Sequence, residues 1–147
     1  MNNNVWRPVQ RIRPISIALI HRGTDILVMT VRDDQEKIKG YRPLGGGIDF
    51  GETAADTVKR EFMEELGLAI EIIALNCVIE NLYQHENALG HEIVFVHDAK
   101  FNDSSVLRRD AFNFIDAGVD IQGLWIPIAD FKTGTATLFP EGLVDKL

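Results

Sequence analysis

The chain has 147 residues, of which 46% are hydrophobic and 25% charged. These are ordinary globular proportions, so disorder, collagen and coiled coil are excluded. Fifteen Lys and Arg stand against 22 Asp and Glu, a net charge of −7, which argues against broad binding to a nucleic-acid backbone. The single cysteine, Cys77, rules out an internal disulfide and fits a reducing compartment. No apolar run is long enough to span a bilayer, and residues 1–14 lack the apolar core of a signal peptide. The expectation is one cytoplasmic domain over residues 1–147, without membrane or broad nucleic-acid partners.

In chain order, residues 15–20 form a branched, apolar run that predicts a strand. Gly23 marks a turn, and residues 26–31 predict the second arm of a hairpin. Residues 32–39 are polar and read as loop. Residues 41–50, with Pro43 and three successive glycines from Gly45 to Gly47, also read as loop with little regular structure. Residues 53–66 give the clearest helix. Thr53 and Asp56 resemble a capping box, and Gly67 stands where a left-handed C-cap is needed. Strands follow at 70–78, running on towards Tyr83, then at 91–101 and 124–128, and the tail after Pro140 can form a helical turn or two. Strands outnumber helices, which predicts a layered α/β or α+β domain.

The central helix carries the chemistry. At about 100° per residue, Ala55, Val58, Phe62 and Leu66 fall within roughly 80° and define a buried face. Glu61, Glu64 and Glu65 occupy the adjoining arc, at the border between core and solvent. Carboxylates at i, i+3 and i+4 repel one another, and Arg60 cannot neutralise all three. Two readings stand: a solvated acidic face, or ligands for a hard divalent cation, Mg²⁺ or Mn²⁺, held by oxygen alone. Gly45, Gly46, Gly47 and Gly51 let a backbone approach a ligand closely. A glycine loop feeding such a helix points to ligand binding more specifically than either feature alone.

From Gly46 the chain reads GGIDFGETAADTVKREFMEELGL. Gly46, Glu52 and the run from Arg60 to Leu68 resemble the Nudix box of the MutT-like hydrolases at every defined position. Seven fixed identities arise by chance on the order of once in a hundred million starting points, so coincidence is set aside. The resemblance implies an α/β/α sandwich with a mixed sheet, and metal-dependent hydrolysis of a nucleoside diphosphate linked to another group. It implies metal ligation by Glu61, Glu64, Glu65 and the Gly45 carbonyl, with Glu52 and Arg60 bracing loop against helix. The base that activates water would be Glu61 or an acid from a later loop. Homodimers are common in the family, and that state stays open here. A sensor that binds nucleotide without turnover is the alternative. The crowded carboxylates favour the enzyme.

Other signals are weaker. A further metal ligand is expected from Asp120, with Asp116 and Glu92 as the other candidates, although each also reads as an ordinary exposed acid. His85, His91 and His97 lack zinc-ligand spacing. Arg42, with Arg13, Arg108 and Arg109, can meet phosphate or sugar oxygens, and Tyr83 can stack on a base. The bland readings are surface charge and core burial. The chain has no proline between Pro43 and Pro127, which speaks against resemblance to the ADP-ribose hydrolases. Tyr83 near the corresponding place is closer to the dinucleoside polyphosphate hydrolases.

Overall fold

A computed structural model describes residues 5–147; the leader-type reading of the first residues falls partly outside them. An eight-stranded mixed sheet is built from β1 (Ile12–Arg22), β2 (Asp25–Arg32), β3 (Ile38–Arg42), β4 (Gly45–Gly47), β5 (Ile70–His85), β6 (Ala88–Phe101), β7 (Ala111–Asp116) and β8 (Val119–Pro127). The main path runs β5-β6-β1-β2-β8-β7, with β3 on β2 and β4 on β1. Helix α1 (Ala54–Leu66) follows β4, and a short α2 (Ile128–Lys132) follows β8. With helical elements on the two faces of the mixed sheet, this is an α/β/α sandwich. No helix among the described residues is long and apolar enough to cross a membrane.

The sheet's two faces bury two cores. Val58 and Phe62 of α1 pack with Ala18, Leu27, Phe101, Phe112 and Trp125. Phe131, Leu138 and Leu143 cover Ile15, Ile17, Val28 and Val94 on the other face. Alternation along β1 explains the division: Ser16 and Ala18 look towards α1, and Ile15 and Ile17 look away. Trp125 packs as expected, donating its indole N–H to the Arg109 carbonyl at 2.7 Å.

The helix forms as its sequence demands. Thr53 accepts from the Asp56 amide at 3.1 Å, and Gly67 closes the helix at φ 67°. The hairpin of β1 and β2 is also found, although only His21 and Arg22 pair directly with β2. Below that point β4 takes the place beside β1. Here the expected loop is corrected: the three glycines are a strand, and a Cβ on Gly45 would overlap the Ser16 carbonyl. A polar stretch likewise ends in β3, two residues earlier than the expected loop allowed.

The region before the last strand differs most. Instead of a loop and a short strand, residues 111–127 form the β7–β8 hairpin, and the helix α2 takes over at Ile128. Ala117 and Gly118 turn the chain with φ of 50° and 79°, the pair of positive values a tight hairpin turn requires. Phe112 and Phe114 alternate about the exposed Asn113, the two-residue period of a strand. After Pro140 the chain makes a 3-10 turn at Leu143–Lys146, as the tail suggested.

Candidate active site

Three elements meet where α1 leaves the glycine strand. Across the strand pair, Ser16 faces Gly46. The Ser16 hydroxyl donates to the Ala54 carbonyl at 2.6 Å and lies 3.3 Å from His97 Nδ1, fastening the start of α1 to β1 and β6. A Cβ on Gly46 would collide with the Glu61 carboxylate. Any larger residue there would have to displace the Glu61 carboxylate from its seat on the backbone.

Glu52 and Arg60 form the brace. Arg60 Nε donates to Glu52 Oε2 at 2.8 Å and Nη2 to Oε1 at 2.9 Å, a bidentate fork. Thr57 Oγ1 donates to the same carboxylate at 2.6 Å. The Arg60 bond, then Thr57, hold the Glu52 carboxyl down at about 2. Arg60 Nη1 also reaches Glu61 at 3.1 Å and Glu64 at 3.2 Å, and Nη2 reaches the Gly47 carbonyl at 3.3 Å. One guanidinium thus serves three glutamates. Its Nη2 also lies 3.4 Å from the Asp49 carboxylate.

Among the described residues, Glu65 has no such partner. Burial raises its carboxyl to about 8, assisted by a hydrogen bond with Glu61 and by the charges of Asp116 and Glu61, while Arg42 pulls the other way. At neutral pH Glu65 therefore keeps its proton beside Glu61, because burial and the adjoining acids disfavour its ionised form. A hard dication is the group that would replace that proton. The donor set is oxygen only, and Glu61 is already seated against glycine backbone, so the residues fit Mg²⁺ or Mn²⁺.

The structure gathers some expected residues and separates others. Glu61, Glu64, Glu65, Glu52, Arg60 and the Gly45 strand stand together. Arg42 acts on both Glu65 and Tyr83, which brings both expected substrate contacts to the rim. Asp120 is a correction. Phe112 and Phe114 pack into the α1-side core, so Asp116, two residues on, shares their face. Asp120 pairs with Ile115 on the reverse face and lines a groove with Thr30, Arg32 and Gln122. The acid that reaches Glu65 is Asp116, because a hairpin turns alternate residues to opposite faces where a loop need not. Glu92 pairs with Arg13 and Asn81 instead of joining the trio. Ser16 and His97 gave no motif signal, since their role arises only from strand pairing.

A second acidic group lies elsewhere. Ligand atoms of Asp34, His85 and Glu86 fall within 4.8 Å of one another. Asp34 takes both guanidinium nitrogens of Arg7, and Lys39 Nζ is 3.2 Å from His85 Nδ1. The three histidines do not converge: His97 joins Ser16, His91 lies beside Glu80, and His85 belongs to this group.

Comparison with known proteins completes the picture. The model of the NUDIX domain family matches residues 11–147. The chain belongs to the Nudix family. Over 124 residues it is 32% identical to an octanoyltransferase of Myxococcus xanthus, covering 77% of this chain and 33% of that protein. Over 70 residues it is 34% identical to the human mitochondrial NAD(P)H pyrophosphatase NUDT13, covering 48% of this chain and 19% of that one. The matches thus span a third or less of these curated relatives. Among solved structures, the MutT protein of Methanosarcina mazei superposes with a TM-score of 0.65 at 16% identity, covering 97% of this chain and 93% of that one. That likeness establishes the shared Nudix sandwich.

Proposed function

We propose that this Nudix domain hydrolyses the pyrophosphate bond of a nucleoside diphosphate linked to another group, using Mg²⁺ or Mn²⁺ held by Glu61, Glu64, Glu65 and the Gly45 carbonyl. The observation that carries the reading is a Glu65 carboxyl that keeps its proton beside Glu61 and Asp116, in a site whose Arg60 guanidinium is already divided among Glu52, Glu61 and Glu64. Such a site is short of positive charge. The pyrophosphatase named among the relatives gives the reaction class its support.

A bound dication would neutralise phosphate oxygens and lower the pKa of an attacking water. The protein's own part is orientation. Glu52 and Arg60 fix the glycine strand against α1, so that Glu61 is held in place before substrate arrives. Arg42, at the rim, faces the incoming anion and offsets the charge of a protein at −7. Glu61 is one candidate for the base, and Asp116 is the later acid that now competes with it in place of Asp120.

A panel of dinucleotides, nucleotide sugars and dinucleoside polyphosphates, assayed with and without Mg²⁺, tests the proposal. Metal-dependent release of two nucleotidic or phosphorylated products is expected. Binding across the panel without cleavage would replace the enzyme with a nucleotide sensor.

A further inference from the structure

Among the described residues, another buried carboxylate lacks its complement of donors. Glu92 is 8% exposed. Its Oε1 accepts one long hydrogen bond from Asn81 Nδ2 at 3.4 Å, and its Oε2 lies 4.0 Å from Arg13 Nη1. An ionised carboxylate offers about four acceptor positions, and charge-assisted bonds to it run at about 2.7–2.9 Å. The described residues therefore fill little of the accepting capacity of Glu92, in a place where water is largely excluded.

Its neighbours lead back to the carboxylate site. Arg13 is the ladder partner of Glu92 on β1, and Asn81 opposes it on β5. Two residues along, Tyr83 opposes Gly90, and its ring occupies the space a Cβ on Gly90 would take. Tyr83 feels the charges of Glu92, Arg13 and Arg42, and Arg42 in turn acts on Glu65. An acceptor, an aromatic ring and two guanidinium groups thus run from Glu92 to the rim of the proposed active site. β4 marks the change of face, since a Cβ on Gly46 would meet Glu61 and one on Gly47 would come 3.4 Å from Arg13 Nη2.

We propose that Glu92 determines specificity, accepting hydrogen bonds from two adjacent donors on the nucleoside of the substrate while Tyr83 flanks it and Arg42 meets the phosphate. This rests on the hydrolase reading for the identity of the ligand as a nucleotide. Two parts of a nucleotide present paired donors. One is the N1–H and N2–H edge of guanine; the other is the 2′,3′-diol of ribose. The aromatic ring beside the acceptor favours the base. Adenine and cytosine set a ring-nitrogen lone pair next to their amino group, and uracil flanks its N–H with carbonyls, so each turns an acceptor towards the carboxylate. A site made to accept such bonds rejects analogues that lack them far more strongly than an apolar pocket rejects a missing methylene.

The test is equilibrium binding, which needs no turnover. Calorimetry with Mg²⁺ compares the α,β-methylene analogues of GDP, IDP, ADP, UDP and 2′-deoxy-GDP on the wild-type protein, Glu92→Gln and Glu92→Asp. Wild type is expected to favour the guanine analogue by about 10-fold or more over the adenine and uracil analogues, and the hypoxanthine base of IDP, lacking N2–H, loses most of that. Both variants bring the ratios within about threefold while retaining the far-ultraviolet dichroism of the parent. Glu92→Asp keeps the charge beside Arg13, so it reports on reach if Glu92→Gln does not fold. Loss of affinity only on removing the 2′-hydroxyl, again dependent on Glu92, locates the paired donors on ribose and supports the proposal. Equal weakening of every analogue in the variants, no change at all, or no nucleotide binding by the wild type overturns it: Glu92 would then be only an ion-pair partner tying β1 to β6. A base preference without hydrolysis of any substrate would instead overturn the enzyme reading and leave this one standing.

Discussion

Two groups of carboxylates lie on this molecule, and they differ in who balances them. Asp34 and Glu86, with His85, come with their own cations: Arg7 grips Asp34 through both guanidinium nitrogens and Lys39 abuts His85. Glu61 and Glu64 share one arginine already committed to Glu52, and Glu65, beside Glu61, keeps its proton. By proximity of ligand atoms alone the first group looks like the metal site. Charge balance reverses the ranking. A cluster whose countercharges are internal is a fastening between segments, here the N-terminal stretch and two loops, whereas one left short of positive charge fits the cation proposed above.

The contrast can be broken experimentally. The largest effect is expected from Glu64→Gln or Glu65→Gln, each lowering turnover by about 10²- to 10⁴-fold with the fold intact by circular dichroism; full activity in both would return α1 to a solvated acidic face. Next comes proton release. Because Glu65 holds its proton up to about 8, Mg²⁺ binding at pH 7 should expel close to one proton, measured by calorimetry in buffers of different ionisation enthalpy.

Stability should follow pH in opposite senses at the two carboxylates of the site. Glu65 is raised from the ordinary 4.5 to about 8. The folded metal-free protein therefore holds a proton that the unfolded chain has lost, and its stability falls as pH rises across that window. Glu65→Gln should flatten this slope in thermal melts. Glu52 is depressed from 4.5 to about 2, so its contribution is present above 4.5 and is lost as pH falls towards 2. Glu52→Gln should remove that acid limb. The smallest effect is reserved for the balanced cluster. Asp34→Ala frees an exposed ion pair, shifting the melting temperature by about 2 °C or less, with Mn²⁺ stoichiometry unchanged.

The site was legible in proportion to how local it is. The helix, its Thr53 and Gly67 caps, the buried face of Val58 and Phe62 and the adjoining acidic arc all follow from 3.6-residue periodicity. Even the Glu52–Arg60 brace spans only eight residues. The β7–β8 hairpin was hidden because its turn is Ala-Gly, not one of the commoner Asn-Gly or Asp-Gly pairs. Asp120 was chosen over Asp116 for the same reason: without a register, neither residue has a face.

Sequence by itself therefore determined the position of the acidic helix, the oxygen-only donors it offers and the glycines that precede it. Local spacing and side-chain chemistry are written in consecutive residues. Tertiary structure alone decided which acid from the later hairpin meets Glu65, that Ser16 and His97 fasten the helix to the sheet, and that Glu92 is buried with acceptors to spare. Those facts depend on which strands lie side by side and in what register, and a one-residue slip would turn each of these side chains to the opposite face.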